Sequence, residues 1–184
     1  MFNSKQLNQA VAVIKSGGII AYPTEAVFGL GCDPFNEQAV MELLSLKERP
    51  VEQGLILIAS NIRQVLPLIK PQHANDLARA LKTWPGHATW IFPKSNIVPS
   101  WVSGKYKSIA IRVSKHPIVK LLCDELNHPL ISTSANISKQ NDLDSIKSIQ
   151  QTFDDKIGFY IDAPTGNEKK ASPIRDAHTL QTLR

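Results

Sequence analysis

With 184 residues, 42% of them hydrophobic and 20% charged, the chain has the make-up of an ordinary globular domain. A chain of this length buries roughly 70% of its unfolded surface, so wholesale disorder is excluded and one domain, residues 1–184, is expected. The net charge of +5 and pI near 9.3 suit a nucleotide or an RNA, and equally suit plain solubility, so charge excludes little.

The first 18 residues have mixed polarity and read as a helix rather than a signal peptide. Ser4 is the expected N-cap, Leu7, Ala10, Val11 and Ile14 share one face, and Gly17-Gly18 end the helix. Residues 19–22 form a short apolar run stopped by Pro23, the pattern of a buried strand. Gly29-Leu30-Gly31 reads as turn punctuation. A second helix is capped by Asn36, carries Val40, Leu43 and Leu44, and ends near Lys47, because Pro50 disfavours a helical Arg49.

Residues 55–59 (LILIA) predict a strand covered on both faces. Helical pieces between Ile62 and Leu81 lead to a turn at Trp84-Pro85-Gly86, then to strands over 88–92 and 109–113. Residues 117–127 predict a helix, 130–132 a short buried strand and 145–152 a helix. Residues 159–162 are a further strand, 163–171 a polar loop and 172–175 an edge strand. Strands and helices alternate without strict order, so the expected fold is α/β, a single domain with a twisted mixed parallel and antiparallel sheet flanked by helices.

Cys32 and Cys123 form no CxxC and sit among apolar neighbours, so they read as buried thiols in a reducing compartment, and no metal site is expected. No run approaches 18 apolar residues, so nothing is expected to span a membrane, and a cytoplasmic location follows. Walker A, GxGxxG, HExxH and GxSxG motifs are absent.

Four places carry polar groups where the strand pattern stops. Thr24 follows the first strand, offering a hydroxyl at the sheet's mouth, or else capping a helix with Glu25 on the surface. Lys47 and Arg49 would point the same way if extended and could converge on a polyphosphate, or could merely favour a helix C-terminus. Ser132, Ser134 and Asn136 alternate onto one side of an extended segment, or close an Asx/Ser turn. Arg112 lies within an apolar strand and must meet a ligand, or an internal partner such as Glu25 or an aspartate.

Six segments, in order, resemble the YrdC/TsaC family of threonylcarbamoyl-AMP synthases: AYPTEAVFGLGCDP (21–34), LKERPVEQGLILIA (46–59), WPGHATWIFP (84–93), SIAIRVSKHP (108–117), PLISTSANIS (129–138) and SPIRDA (172–177). The resemblance implies a twisted mixed sheet with a concave basic surface. It implies synthesis of threonylcarbamoyl-AMP and pyrophosphate from ATP, with Mg²⁺, L-threonine and bicarbonate, for tRNA modification. It assigns the catalytic pair Lys47 and Arg49, with Ser134 and Asn136, to the nucleotide phosphates, and Ser108 and Ser172 to the nucleotide side. Thr24, Arg112 and Ser132 match threonine-holding positions, Arg112 pairing with the carboxylate. Separate threonylcarbamoyl-transferase proteins are the implied partners of such a short form.

Two departures stand out: Ser138-Lys139-Gln140 replaces a frequent glycine, and Gly54 replaces a frequent proline. The rival reading from another class is a non-catalytic factor binding tRNA or double-stranded RNA, a ribosome-maturation role motivated by the basic pI. A hydrogenase-maturation component is set aside, because the chain has no zinc-finger segment.

Overall fold

The computed structural model describes residues 2–138 and 140–183; Lys139, in the expected departure, lies outside the described residues. Chain order is α1 (Ser4–Lys15), β1 (Ile20–Pro23), β2 (Phe28–Gly31), α2 (Glu37–Leu46), β3 (Ile56–Ala59), α3 (Ile62–Val65), α4 (Ala74–Leu81) and β4 (Thr89–Pro93). It continues with α5 (Ser100–Ser103), β5 (Ser108–Val113), α6 (Pro117–Leu126), β6 (Leu130–Ser134), α7 (Ile146–Phe153), β7 (Phe159–Tyr160) and β8 (Ile174–Asp176). Among the described residues the strands form one eight-stranded mixed sheet, ordered β7-β1-β2-β6-β3-β5-β4-β8. The pairs β1/β7, β3/β5 and β4/β8 are parallel and the others antiparallel.

Local chemistry explains the element ends. Asn3, not Ser4, caps α1: its side chain accepts from the Gln6 amide at 3.0 Å, and Gln6 reaches back to the Asn3 amide at 3.1 Å. Asn36 caps α2 as expected, accepting from Ala39 at 3.1 Å. After α2 the amides of Glu48 and Arg49 return to the carbonyls of Ser45 and Leu44, with Glu48 at φ +50°. That is a Schellman turn with a non-glycine residue in the left-handed position.

The Gly-Leu-Gly run is strand β2, not a turn. Leu30 points into the core, while a Cβ at Gly31 would sit 2.4 Å from the Ile131 carbonyl and 2.8 Å from the Tyr22 ring. Missing side chains let Tyr22 lie across β2 and donate its hydroxyl to the Ile131 carbonyl at 3.0 Å. Both cysteines are buried free thiols, as expected.

The pleat sorts residues into two cores. On the first face Leu30, Leu57, Phe92, Ile111 and Ile131 pack under α2, α5 and α7, through Val40, Leu43, Val102, Ile149 and Phe153. On the second face Ile20, Tyr22, Ile58 and Leu130 pack under α1 and α6, through Val11, Ile14, Val119 and Leu122. Each such aliphatic side chain contributes about 1.5–3 kcal/mol of burial. Helices α1 and α6 cover only part of that second face. The uncovered part holds the site.

Candidate active site

The register shows where cover ends. Leu130, Ile58 and Arg112 are neighbours across β6, β3 and β5. One pleat further, Ser132, Ile56, Ala110, Ile91 and Asp176 form a continuous row across β6, β3, β5, β4 and β8. All five line an open cavity of about 570 Å³. The residue type changes at that boundary from large aliphatic to small or polar, leaving room above the sheet. Ligand sites commonly occupy such a cleft.

Thr24, Arg49, Ser108 and Arg112 line this cavity, as do Ser132, Ser134 and Ser172. Thr24 does not cap a helix; its hydroxyl and amide both donate to the Val27 carbonyl, at 2.7 and 3.1 Å, closing the β1–β2 turn. Glu25 is buried rather than on the surface. Its Oε2 lies 3.4 Å from Arg112 Nη1, while Oε1 accepts from the Ser114 hydroxyl at 2.7 Å and the Lys115 amide at 3.1 Å. Burial pushes the Glu25 carboxyl up, but Arg112 and these donors outweigh it and hold the group below its usual range. Arg112 is thus held in the charged strand position by the internal partner its sequence context requires, and still faces the cavity. Its Nε is buried without a hydrogen-bond partner. Ser172 is buried and exchanges a 2.7 Å hydrogen bond with the Thr89 hydroxyl.

Arg49 donates to the Gly54 carbonyl through Nη2 at 2.8 Å and Nε at 3.3 Å. Gly54 has φ +64°, which proline cannot adopt, and an added Cβ would meet the Ser103 carbonyl at 2.9 Å. Glycine at this departure is what lets the carbonyl turn toward Arg49.

Lys47 and Asn136 do not line the cavity. The expected alternation of Lys47 and Arg49 does not arise, because Lys47 is the helix C-cap and Glu48 turns left-handed between them. The Lys47 ammonium is buried behind the cavity wall, donating to the Ser134 carbonyl at 2.5 Å, the Asn136 carbonyl at 2.5 Å and Asn136 Oδ1 at 3.2 Å. Burial, with Arg49 adding a like charge, pulls its pKa down to about 8. The same Oδ1 accepts from the Ser134 hydroxyl at 2.7 Å, and the Asn136 amide nitrogen donates to the Gln140 carbonyl at 2.6 Å. Lys47 therefore fixes the loop that presents Ser134.

His87, which the sequence reading left unassigned, also lines the cavity. Its sequence signal is its place in the segment WPGHATWIFP, two residues ahead of β4. The polar loop 163–171 packs here too, its Gly166 and Glu168 amides donating to the Thr24 and Glu25 carbonyls at 2.9 and 3.0 Å. A Cβ at Gly166 would lie 2.6 Å from the Glu25 carbonyl, so the approach requires glycine.

Residues 12–184 match the Sua5–YciO–YrdC family, described as telomere recombination. The threonylcarbamoyl-AMP synthase of Coxiella burnetii (strain RSA 493 / Nine Mile phase I) is 47% identical over 181 residues, 98% of this chain and 97% of that protein. P. abyssi Sua5 complexed with L-threonine superposes with a TM-score of 0.89 at 30% identity, over 96% of this chain and 52% of that one, so the chain spans about half its length. E. coli YciO superposes at 0.86 and 24% identity, over 99% of this chain and 89% of that one, a likeness of fold.

Proposed function

Because the chain belongs to the Sua5–YciO–YrdC family, we infer that it is an L-threonylcarbamoyladenylate synthase, a nucleotidyltransferase acting in tRNA threonylcarbamoyladenosine modification. The observation that carries this reading is one cavity lined by both Arg112 and Arg49, on the part of the sheet that helices leave open. Threonine in the structure of the P. abyssi relative supports threonine as the amino acid.

In this reading Arg112 takes the amino-acid carboxylate, since a guanidinium fork matches a carboxylate. Glu25 prevents Arg112 from turning away. Thr24 and Ser132 flank that end of the cavity, while Arg49, Ser108, Ser134 and Ser172 receive the nucleotide. Lys47 and Asn136 act on the nucleotide through the Ser134 loop they hold. Threonine and bicarbonate give a carbamate whose oxygen attacks the α-phosphorus of ATP, and the Pα–O bond to pyrophosphate breaks. Positioning and cationic stabilisation are what such a step needs from a protein.

Magnesium, in this reading, would be part of the substrate, bound with the triphosphate, and would offset some of its charge. Among the described residues the cavity's carboxylates are Asp142 and Asp176, and Asp176 Oδ1 already accepts the His178 and Thr179 amides. The mixed anhydride then passes to separate threonylcarbamoyl-transferase proteins. The test is pyrophosphate release from ATP by purified protein with magnesium. Release that needs both threonine and bicarbonate is expected; release indifferent to either one refutes the reading. Helices among the described residues are too short or too polar to cross a membrane.

A further inference from the structure

Resting on the synthase reading, we propose that His87 is the catalytic residue that receives the ammonium proton of the amino-acid substrate. An amino acid enters a neutral solution as an ammonium, which has no lone pair with which to form a carbamate. Something must take a proton first. Imidazole is the side chain best matched to that task near neutral pH.

The ring's neighbours assign its hydrogens. His87 Nε2 lies 2.8 Å from the Lys170 carbonyl, which can only accept, so Nε2 carries the hydrogen. His87 Nδ1 lies 3.4 Å from Arg112 Nη1, which can only donate, so Nδ1 carries the lone pair. The two contacts together select one neutral tautomer, with its acceptor beside the guanidinium. The 3.4 Å contact is long for a hydrogen bond and is readily surrendered.

A carboxylate docked on Arg112 draws that N–H away from the ring. In an α-amino acid the ammonium is one carbon from the carboxylate, so it comes within reach of the lone pair just vacated. Other cavity groups are less suited. Asp142 and Asp176 are carboxylates, and Glu25, outside the cavity lining, is turned onto Ser114 and Lys115 with its carboxyl held below the usual range. Carboxylates are far weaker bases than imidazole for taking a proton from an ammonium.

The balance is simple. Ammonium and bicarbonate yield a carbamate, one water and one proton. His87 Nδ1 is the first holder of that proton, the freed amine lone pair forms the C–N bond, and the imidazolium returns the proton to solvent. While charged, it sits beside the substrate carboxylate, which offsets the like charge of Arg112.

Two substitutions test this. His87→Asn places an amide oxygen near Nδ1 that can accept a hydrogen bond but cannot take a proton. His87→Gln keeps a donor for the Lys170 carbonyl. With threonine- and bicarbonate-dependent pyrophosphate release as the readout, both should lower kcat about a hundredfold at neutral pH. The Asn variant should leave the threonine KM within about threefold, because its acceptor persists. Its kcat should climb about tenfold per pH unit as free amine becomes abundant, on a steeper slope than wild type. If either folded variant keeps wild-type kcat and pH profile, or only raises the threonine KM, the proton-acceptor role is overturned. Wild-type protein that releases no threonine-dependent pyrophosphate would instead sink the synthase reading, before any variant is made.

Discussion

The second face of the sheet is one continuous surface with two opposite fates. Under α1 and α6 its strands present Ile20, Tyr22, Ile58 and Leu130, all buried. Farther along the same β3 and β6 strands, Ile56 and Ser132 one pleat on and Ser134 two pleats on face the cavity. Backbone geometry is shared, so the difference lies in side-chain volume and polarity together with where the helices stop. Arg112 stands on the boundary, beside Ile58 in register and beside the cavity in space. A buried charge there is tolerable only because Glu25 pairs with it.

The largest effect should come from disturbing that boundary. Glu25→Gln leaves the Arg112 guanidinium uncompensated and should cost about 3–5 kcal/mol in denaturant unfolding. Since the folded Glu25 carboxyl titrates below its ordinary value of 4.5, its contribution is present above that pH and fades as acid takes the pH lower. The variant should lack this acid-induced loss. Next, Leu130→Ala in the covered half should cost about 2–5 kcal/mol and leave turnover per folded molecule nearly unchanged.

Lys47→Met should destabilise by about 1–3 kcal/mol, because the Ser134 and Asn136 carbonyls lose their donor. With a folded pKa of about 8 against 10.5, wild type binds fewer protons folded than unfolded between those values. Lys47 should therefore raise stability with increasing pH across that window while the uncharged amine loosens the loop and turnover falls. The methionine variant should show neither trend. Smallest in stability is Ser132→Ala, less than about 1 kcal/mol, yet threonine-dependent turnover should fall at least about tenfold. Equal stability costs for Leu130→Ala and Ser132→Ala would erase the distinction between the halves.

Most of the architecture was legible because hydrophobic runs and caps mark it: β3, β5, α2 and α6 fall within a residue or two of their expected bounds. Strand β2 was hidden, since two of its four residues are glycines, which leave no apolar alternation to read. The cavity residues Thr24, Ser132 and Ser134 were visible as polar groups where strands end, and Arg112 as a charge within one. The orientation of Lys47 was not, because it depends on the left-handed Glu48, a position usually given to glycine or asparagine. His87 lay within a quoted segment, yet its role was hidden for another reason. Its chemistry depends on Lys170 and Arg112, which are distant in sequence.

One wall of the cavity comes from β8 and the residues around it, with Ser172, Ile174, Asp176 and Leu183 all facing the opening. These residues come after every other strand in chain order. Every buried member of both hydrophobic cores except Ala177 precedes β8, whereas the cleft lacks a side until β8 pairs in parallel with β4, some eighty residues upstream. Packing and enclosure therefore draw on different stretches of chain: residues before Ala171 supply nearly all of the cores, and residues after it close the cleft.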